Sequence, residues 1–255
     1  MSAARVPRIA AGRVLGREHA RRGESCQDAF AIRQEGERLV AVVTDGCGSA
    51  RRSEVGAGLG AVLLATGVMN ELRRGAPLGP DLARESTDAL THALDRVAPL
   101  LTLERAEVRA VTAEYLLFSF LCLAVDGPRA LIFGVGDGVV GVDDAVTVLD
   151  AGPDNAPPYV AYRLVGKSEV TAPRVHYAGE GAARFLLATD GLAEWDTFAG
   201  AELKNGGLQP SVRELARDTT LFDVPTRLGK RLNVVGQGHG RLHDDTTVVL
   251  VHRPG

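Results

Sequence analysis

The residues of this chain best placed to do chemistry are carboxylates set in short motifs: Gln27-Asp28, Thr44-Asp45-Gly46, Thr189-Asp190-Gly191 and Asp244-Asp245-Thr246-Thr247. They are scattered along 255 residues, and three of the four stand at strand-like ends. If the fold brought Asp45, Asp190 and Asp244 within about 4 Å of one another, each ionised pair would cost roughly 4 kcal/mol at an effective dielectric near 20. Three such pairs rival the ~5–15 kcal/mol that holds a whole domain together. Shared protons or a bound cation must then neutralise them. An oxygen-only cluster, without Cys or His, favours a hard ion such as Mg²⁺ or Mn²⁺.

Asp45 and Asp190 have equivalent local settings. A run of small and branched residues leads into Thr-Asp-Gly, so the carboxylate projects from a strand end while the glycine permits a tight exit. Gly46 also leaves its own carbonyl uncovered and able to coordinate a cation. Either Asp-Gly alone reads equally as a plain turn, and the repetition after two similar strands is what argues for more. Asp244-Asp245 leads into Thr-Thr-Val-Val-Leu-Val, a central-strand sequence in which charge is costly unless it is paired, metal-bound or used to cap a loop.

Other motifs are weaker. Gly136-Asp137-Gly138-Val139-Val140-Gly141 has dinucleotide-loop spacing, but β-forming residues follow where a helix would have to receive a pyrophosphate. It reads as a hairpin turn, or as a turn that offers Asp137 as an extra cation ligand. His243-Asp244 with His92 imitates a helical metal phosphohydrolase pair, yet it precedes a strand. No Gly-x-Ser-x-Gly elbow and no Gly-x-x-x-x-Gly-Lys-Ser/Thr loop occurs. Ser49 reads as a capping or turn residue ahead of a helix.

The elements that must position these groups follow from periodicity. Residues 29–33 and 38–44 read as strands joined by a Gln34-Glu35-Gly36-Glu37 turn, so that the second ends on Asp45. Val55, Leu59, Val62, Leu63, Thr66, Met69 and Leu72 recur at helical spacing, and a second helix is expected over 81–97. From 115 to 149 four extended runs read as an antiparallel meander, and 150–160 as a Pro-rich loop. Strands are expected again at 184–189 and 246–253, with helices at 211–219 and 224–232 between them. Strands, helices, then strands without βαβ alternation predict an α+β layered fold, its antiparallel sheets covered by helices, in one domain over 1–255.

Composition narrows the partners. A formal charge of −3 supplies no basic field for nucleic acid. Three widely spaced cysteines, Cys26, Cys47 and Cys122, fit neither a disulfide framework nor a zinc site and point to a reducing cytoplasm. The N-terminal residues lack a signal-peptide core, and the most apolar run, 116–125, is about half a membrane span. The expected protein is soluble, with no membrane partner.

Taken in order, the set His19-x-x-x-Gly23-x-x-Cys26-Gln27-Asp28-Ala29-Phe30, Val43-Thr44-Asp45-Gly46-Cys47-Gly48-Ser49, Gly136-Asp137-Gly138, Leu187-Ala188-Thr189-Asp190-Gly191 and Asp244-Asp245-Thr246-Thr247-Val248-Val249 resembles the metal-dependent protein serine/threonine phosphatases of type 2C, especially their compact bacterial branch. The resemblance spans residues 19–251. It implies a four-layer αββα sandwich with two Mg²⁺ or Mn²⁺ ions at one end. Asp45 would bridge the ions, Gly46 would offer its carbonyl, and Asp190 and Asp244 would complete the set. Asp28 would hold metal-bound waters, and Asp137 with Asp190 would hold a looser third ion.

The implied activity is hydrolysis of phosphoserine and phosphothreonine in proteins by a metal-activated water, opposing a serine/threonine kinase. A silent phosphoprotein- or kinase-binding domain and a phosphatase of small metabolites are the rival readings. Departures from the family bear on the substrate side. Relatives often carry a phosphate-holding arginine where this chain has Gly23, which leaves Arg22 as the substitute. His19 either donates to the phosphate or caps its loop. Cys47 stands where eukaryotic members have a histidine proposed as general acid, and the segment 153–159 replaces a longer flap.

Overall fold

The computed structural model describes residues 6–102, 107–152, 157–166, 172–203 and 206–253. In chain order the principal elements are β1 (Arg8–Val14), α1 (Arg17–Arg22), β2 (Ala29–Glu35), β3 (Arg38–Gly46), α2 (Ser53–Arg73), α3 (Pro80–Val97), α4 (Val108–Tyr115), β4 (Phe118–Asp126) and β5 (Arg129–Val135). They continue with β6 (Gly138–Val142), β7 (Ala145–Leu149), β8 (Arg174–Glu180), β9 (Arg184–Ala188), α5 (Val212–Arg217), α6 (Arg227–Asn233) and β10 (Thr246–His252). One sheet has the order β1-β10-β9-β6-β7 and the other β2-β3-β4-β5-β8. Every strand pair is antiparallel.

Alternation along the strands builds the layers. In β3, Leu39, Ala41 and Val43 face the opposite sheet while Val40 and Val42 face α2, so both faces are buried and the run is apolar throughout. In β10, Val249 and Val251 join the inter-sheet core, and Val248 and Leu250 pack under α6 with Leu228 and Leu232. Three apolar layers result: helices α2 and α3 on the second sheet, sheet on sheet, and α5 and α6 on the first. This is the expected αββα sandwich. Helix α2 is long and apolar enough to cross a membrane by length and composition, but its buried residues pack against β2, β3 and β4.

Several expectations need correction. The run 115–149 is not one meander, because β5 pairs with β4 and β8 whereas β6 pairs with β7 and β9. Gly136-Asp137-Gly138 is therefore a crossover between sheets and not a hairpin turn. Gly136 takes φ of +99°, in a space so close to Ser119 that a β-carbon would lie 2.3 Å from its Cβ. Ser49 does not cap α2: the N-cap is Arg52, without a side-chain bond, and Ser53 instead donates to the Cys47 carbonyl at 3.1 Å. Strands β1 and β8 and helices α1 and α4 were not expected at all. Of the loop expected at 150–160, residues 153–156 lie outside the described residues.

Candidate active site

The same alternation aims the carboxylates. Thr44 turns toward α2, donating its hydroxyl to the Ala57 carbonyl at 3.0 Å, so the next residue, Asp45, points between the sheets at their open end. Asp28, one residue before β2, reaches the same space from the neighbouring strand and is buried. From the other sheet come Asp190, just beyond β9, Asp137 in the crossover before β6, and Asp244 just before β10. Gly46 has no room for a side chain, since a β-carbon would meet Ser53 Oγ at 2.6 Å and the Gln27 carbonyl at 2.8 Å.

Asp45, Gly46, Asp137, Asp190 and Asp244 line one cleft of about 590 Å³, together with His19, Gln27 and Cys47. Among the described residues no lysine or arginine lines it. The Asp45 and Asp190 carboxyls are close enough to share a hydrogen bond. Burial pushes Asp190 up to about 6, helped by Asp137 and Asp244. Burial also holds Asp45 well above the usual carboxylate range, and Asp28, Asp190, Asp244 and Asp137 add to it. Asp45 is only half-covered in the open cleft, but its depth and four like neighbours act in the same direction. Asp28 and Asp137 are raised too, again chiefly by burial.

Inner supports fix this cluster. Thr189 Oγ1 donates to Asp28 Oδ2 at 2.7 Å and receives the Thr247 backbone N–H at 2.9 Å. Asp245, buried at 2% exposure, accepts the Gly16 N–H at 2.7 Å and the Gln27 N–H at 2.6 Å. It thereby ties β10 to the loops before α1 and β2. His19, also buried, sets Nδ1 2.9 Å from Asp245 Oδ2, an ion-pair distance without hydrogen-bond alignment. His19, Asp244 and Asp245 form a compact donor group, within 4.8 Å of one another. Both Asp245 oxygens already serve backbone N–H groups, which leaves that group less able to take an ion than the cluster in the cleft.

Asp45, Gly46, Asp190, Asp244 and Asp137 thus meet at one mouth, with Asp28 behind them. Arg22 stands apart on an outer, shallower concavity that shares Asp190 and Asp244, and it is paired with Glu24 at 2.8 Å. Sequence reasoning did not assign a role to Asp245 or Thr189, although both sit inside recognised motifs. Their partners are backbone groups and side chains 58 to 229 residues away, a signal no local pattern carries.

An oxygen-rich donor set around a deep carboxylate, without lysine or arginine in the lining, is what a hard divalent ion requires. Asp137 Oδ1 and Gln27 Oε1 are buried at this mouth without a hydrogen-bond partner. The residues present therefore fit a metal site. The family profile described as Protein phosphatase 2C matches residues 15–233. The chain belongs to the protein phosphatase 2C family. It is accordingly a metal-dependent protein serine/threonine phosphatase whose substrates are phosphorylated proteins.

Solved structures agree in fold. A bacterial serine phosphatase superposes with TM-score 0.62 at 14% identity, covering 97% of this chain and 98% of that one. The serine/threonine phosphatase of S. agalactiae gives 0.60 at 15% identity, with 97% and 100% covered. The PPM Ser-Thr phosphatase MsPP from Mycobacterium smegmatis, in complex with cacodylate, gives 0.56 at 18%, with 98% and 100% covered. No curated protein sequence matches the chain.

Proposed function

We propose that Asp45, Asp190 and Asp244, with the Gly46 carbonyl, hold two Mg²⁺ or Mn²⁺ ions on which the phosphatase reaction depends. The observation that carries this reading is the convergence of these carboxylates with Asp137 on one cleft that no lysine or arginine among the described residues lines. Two such ions, when bound, supply a water of lowered pKa and positive charge for the entering and leaving oxygens.

The chain's own groups set the geometry for that chemistry. Asp45 is central, because it touches Asp190 and feels Asp28, Asp137 and Asp244. Asp28, buried behind the cleft and oriented by the Thr189 hydroxyl, would hold metal-bound water from the inner edge. Asp137, with one unpartnered oxygen, adds a weaker site shared with Asp190. His19 lines the cleft with its ring braced by Asp245, and its role is to hold the phosphate or the loop beside it. Arg22 would reach the phosphate by leaving Glu24, an exposed pair worth only ~0–1 kcal/mol. A serine/threonine kinase in the cytoplasm is the partner whose products this enzyme would reverse.

Purified protein with Mn²⁺ and a phosphothreonine peptide tests the assignment. Phosphate release is expected, along with its loss in Asp45→Ala and Asp190→Ala. Equal release by the wild type and both variants would overturn the site.

A further inference from the structure

The cleft has two unlike walls. Beside the carboxylates the cleft is lined by Ala113, Leu117, Pro157, Tyr159, Tyr162 and Val165. Four of these six come from one short segment that includes a 3-10 turn, Val160–Val165, whose Val160 and Ala161 are buried in the helical layer against the second sheet. That anchoring leaves Tyr159, Tyr162 and Val165 half-exposed along the cleft. The two tyrosine rings stack edge to face, with centroids 5.2 Å apart and planes at 84°, so each fixes the other's orientation. The Tyr159 phenol also lies beside the Cys47 thiol, next to Gly46. The segment is held over the Asp137 crossover too, since a β-carbon on Gly136 would lie 3.3 Å from the Pro158 carbonyl oxygen.

A rigid, half-buried aromatic and aliphatic surface beside a charged centre is shaped to take an apolar side chain. We infer that this wall selects its substrates, favouring phosphoserine or phosphothreonine next to a bulky apolar or aromatic residue, an inference that rests on the phosphatase reading above. The occupant follows from continuity. A phosphoryl group at the carboxylates places the neighbouring substrate side chains against the Tyr159–Tyr162 face, where no lysine or arginine among the described residues lines the cleft; Arg84 and Arg163 line a separate pocket that the same two rings share. An acidic neighbour would instead meet carboxylates and apolar carbon.

The test uses the full chain with Mn²⁺ and phosphothreonine peptides that differ only beside the phosphorylated residue, on either side: Leu, Phe, Ala, Glu or Lys. The wild type should show kcat/KM at least tenfold higher for Leu or Phe than for Glu, with Ala between. Tyr162→Ala should compress that ratio below threefold, Tyr162→Phe should keep it, and Val165→Ser should lower it without disturbing the ring pair. Equal kcat/KM for all peptides, or a maximum with Lys, would overturn the inference while leaving the phosphatase reading intact. No metal-dependent release from any peptide or from a small aryl phosphate would overturn both.

Discussion

Thr189 Oγ1 donates a hydrogen bond to Asp28 Oδ2 at 2.7 Å, and that bond joins the two sheets at the mouth where the carboxylates gather. Thr189 follows β9 in one sheet and Asp28 precedes β2 in the other. Replacing the hydroxyl by a methyl leaves Asp28 buried with one donor fewer. Thr189→Val should cost about 1–3 kcal/mol, the usual cost of an unsatisfied buried group. It should also weaken divalent-ion affinity about 10- to 100-fold, as loss of an outer orienting group does at other metal sites. Thermal melts with chelator and a Mn²⁺ titration read the two effects separately. Wild-type affinity in this variant would contradict the orienting role.

Asp45 has the most like neighbours of the cluster, with Asp28, Asp190, Asp244 and Asp137 all raising it beside its burial. Without metal it works against the fold, so Asp45→Asn should stabilise the protein in chelator by about 1–3 kcal/mol at neutral pH. The same change should lower metal-dependent phosphate release by at least about a thousandfold, on the scale of removing a central electrostatic group. A lower Tm in chelator would show that Asp45 is already compensated by something other than a cation.

The metal-free protein should lose stability as pH rises. Asp190 is pushed up to about 6 from 3.8, by burial and then by Asp137 and Asp244, and Asp28 and Asp45 are raised as well. A carboxyl with a folded value above its unfolded one binds more protons in the native state, so stability falls with pH above the unfolded value. For Asp190 the loss is complete above about 6, and Asp28 and Asp45, raised as well, act in the same direction. Melts in chelator from about pH 5 to about pH 8 should show a declining Tm, which saturating Mn²⁺ removes. A Tm that climbs across that range in chelator contradicts the cluster's electrostatics.

Asp245 gives a contrasting prediction. Its carboxylate serves the Gly16 and Gln27 N–H groups and faces His19, so Asp245→Ala strands two buried donors. The cost should be about 2–5 kcal/mol, and Asp245→Asn, which keeps one acceptor oxygen, should fall between Ala and wild type. Urea midpoints rank the three. An unchanged midpoint in Asp245→Ala would show that the loops before α1 and β2 are held by other contacts.

Much of this arrangement was legible because local pattern and long-range role coincide. Asp45 and Asp190 each end an apolar strand at Thr-Asp-Gly, and Asp244 precedes a run that only a buried strand tolerates, so their meeting at a sheet end could be anticipated. The six-residue helix α1 could not be, since it is shorter than any helix that stands alone and is held by backbone bonds from Arg17 and Glu18 to Leu242 and His243. Strand β1, with Arg8, Gly12 and Arg13 in it, lacks clean alternation, and edge strand β8 is half-exposed. The Gly136-Asp137-Gly138 turn has hairpin chemistry, yet its strands part into different sheets. That choice is made by the packing of Leu121, Val140 and Leu187 between the sheets, contacts a turn sequence does not encode. The apolar wall was hidden for a related reason: Tyr159 and Tyr162 look like loop residues until Val160 and Ala161 are seen to anchor them.

Anomalous diffraction from crystals soaked in Mn²⁺ tests the central claim most directly. The account predicts density for two ions bound by Asp45, the Gly46 carbonyl, Asp190 and Asp244, lost on Asp190→Ala. Density confined to the His19–Asp244–Asp245 group, or none at all under conditions that support turnover, would contradict it.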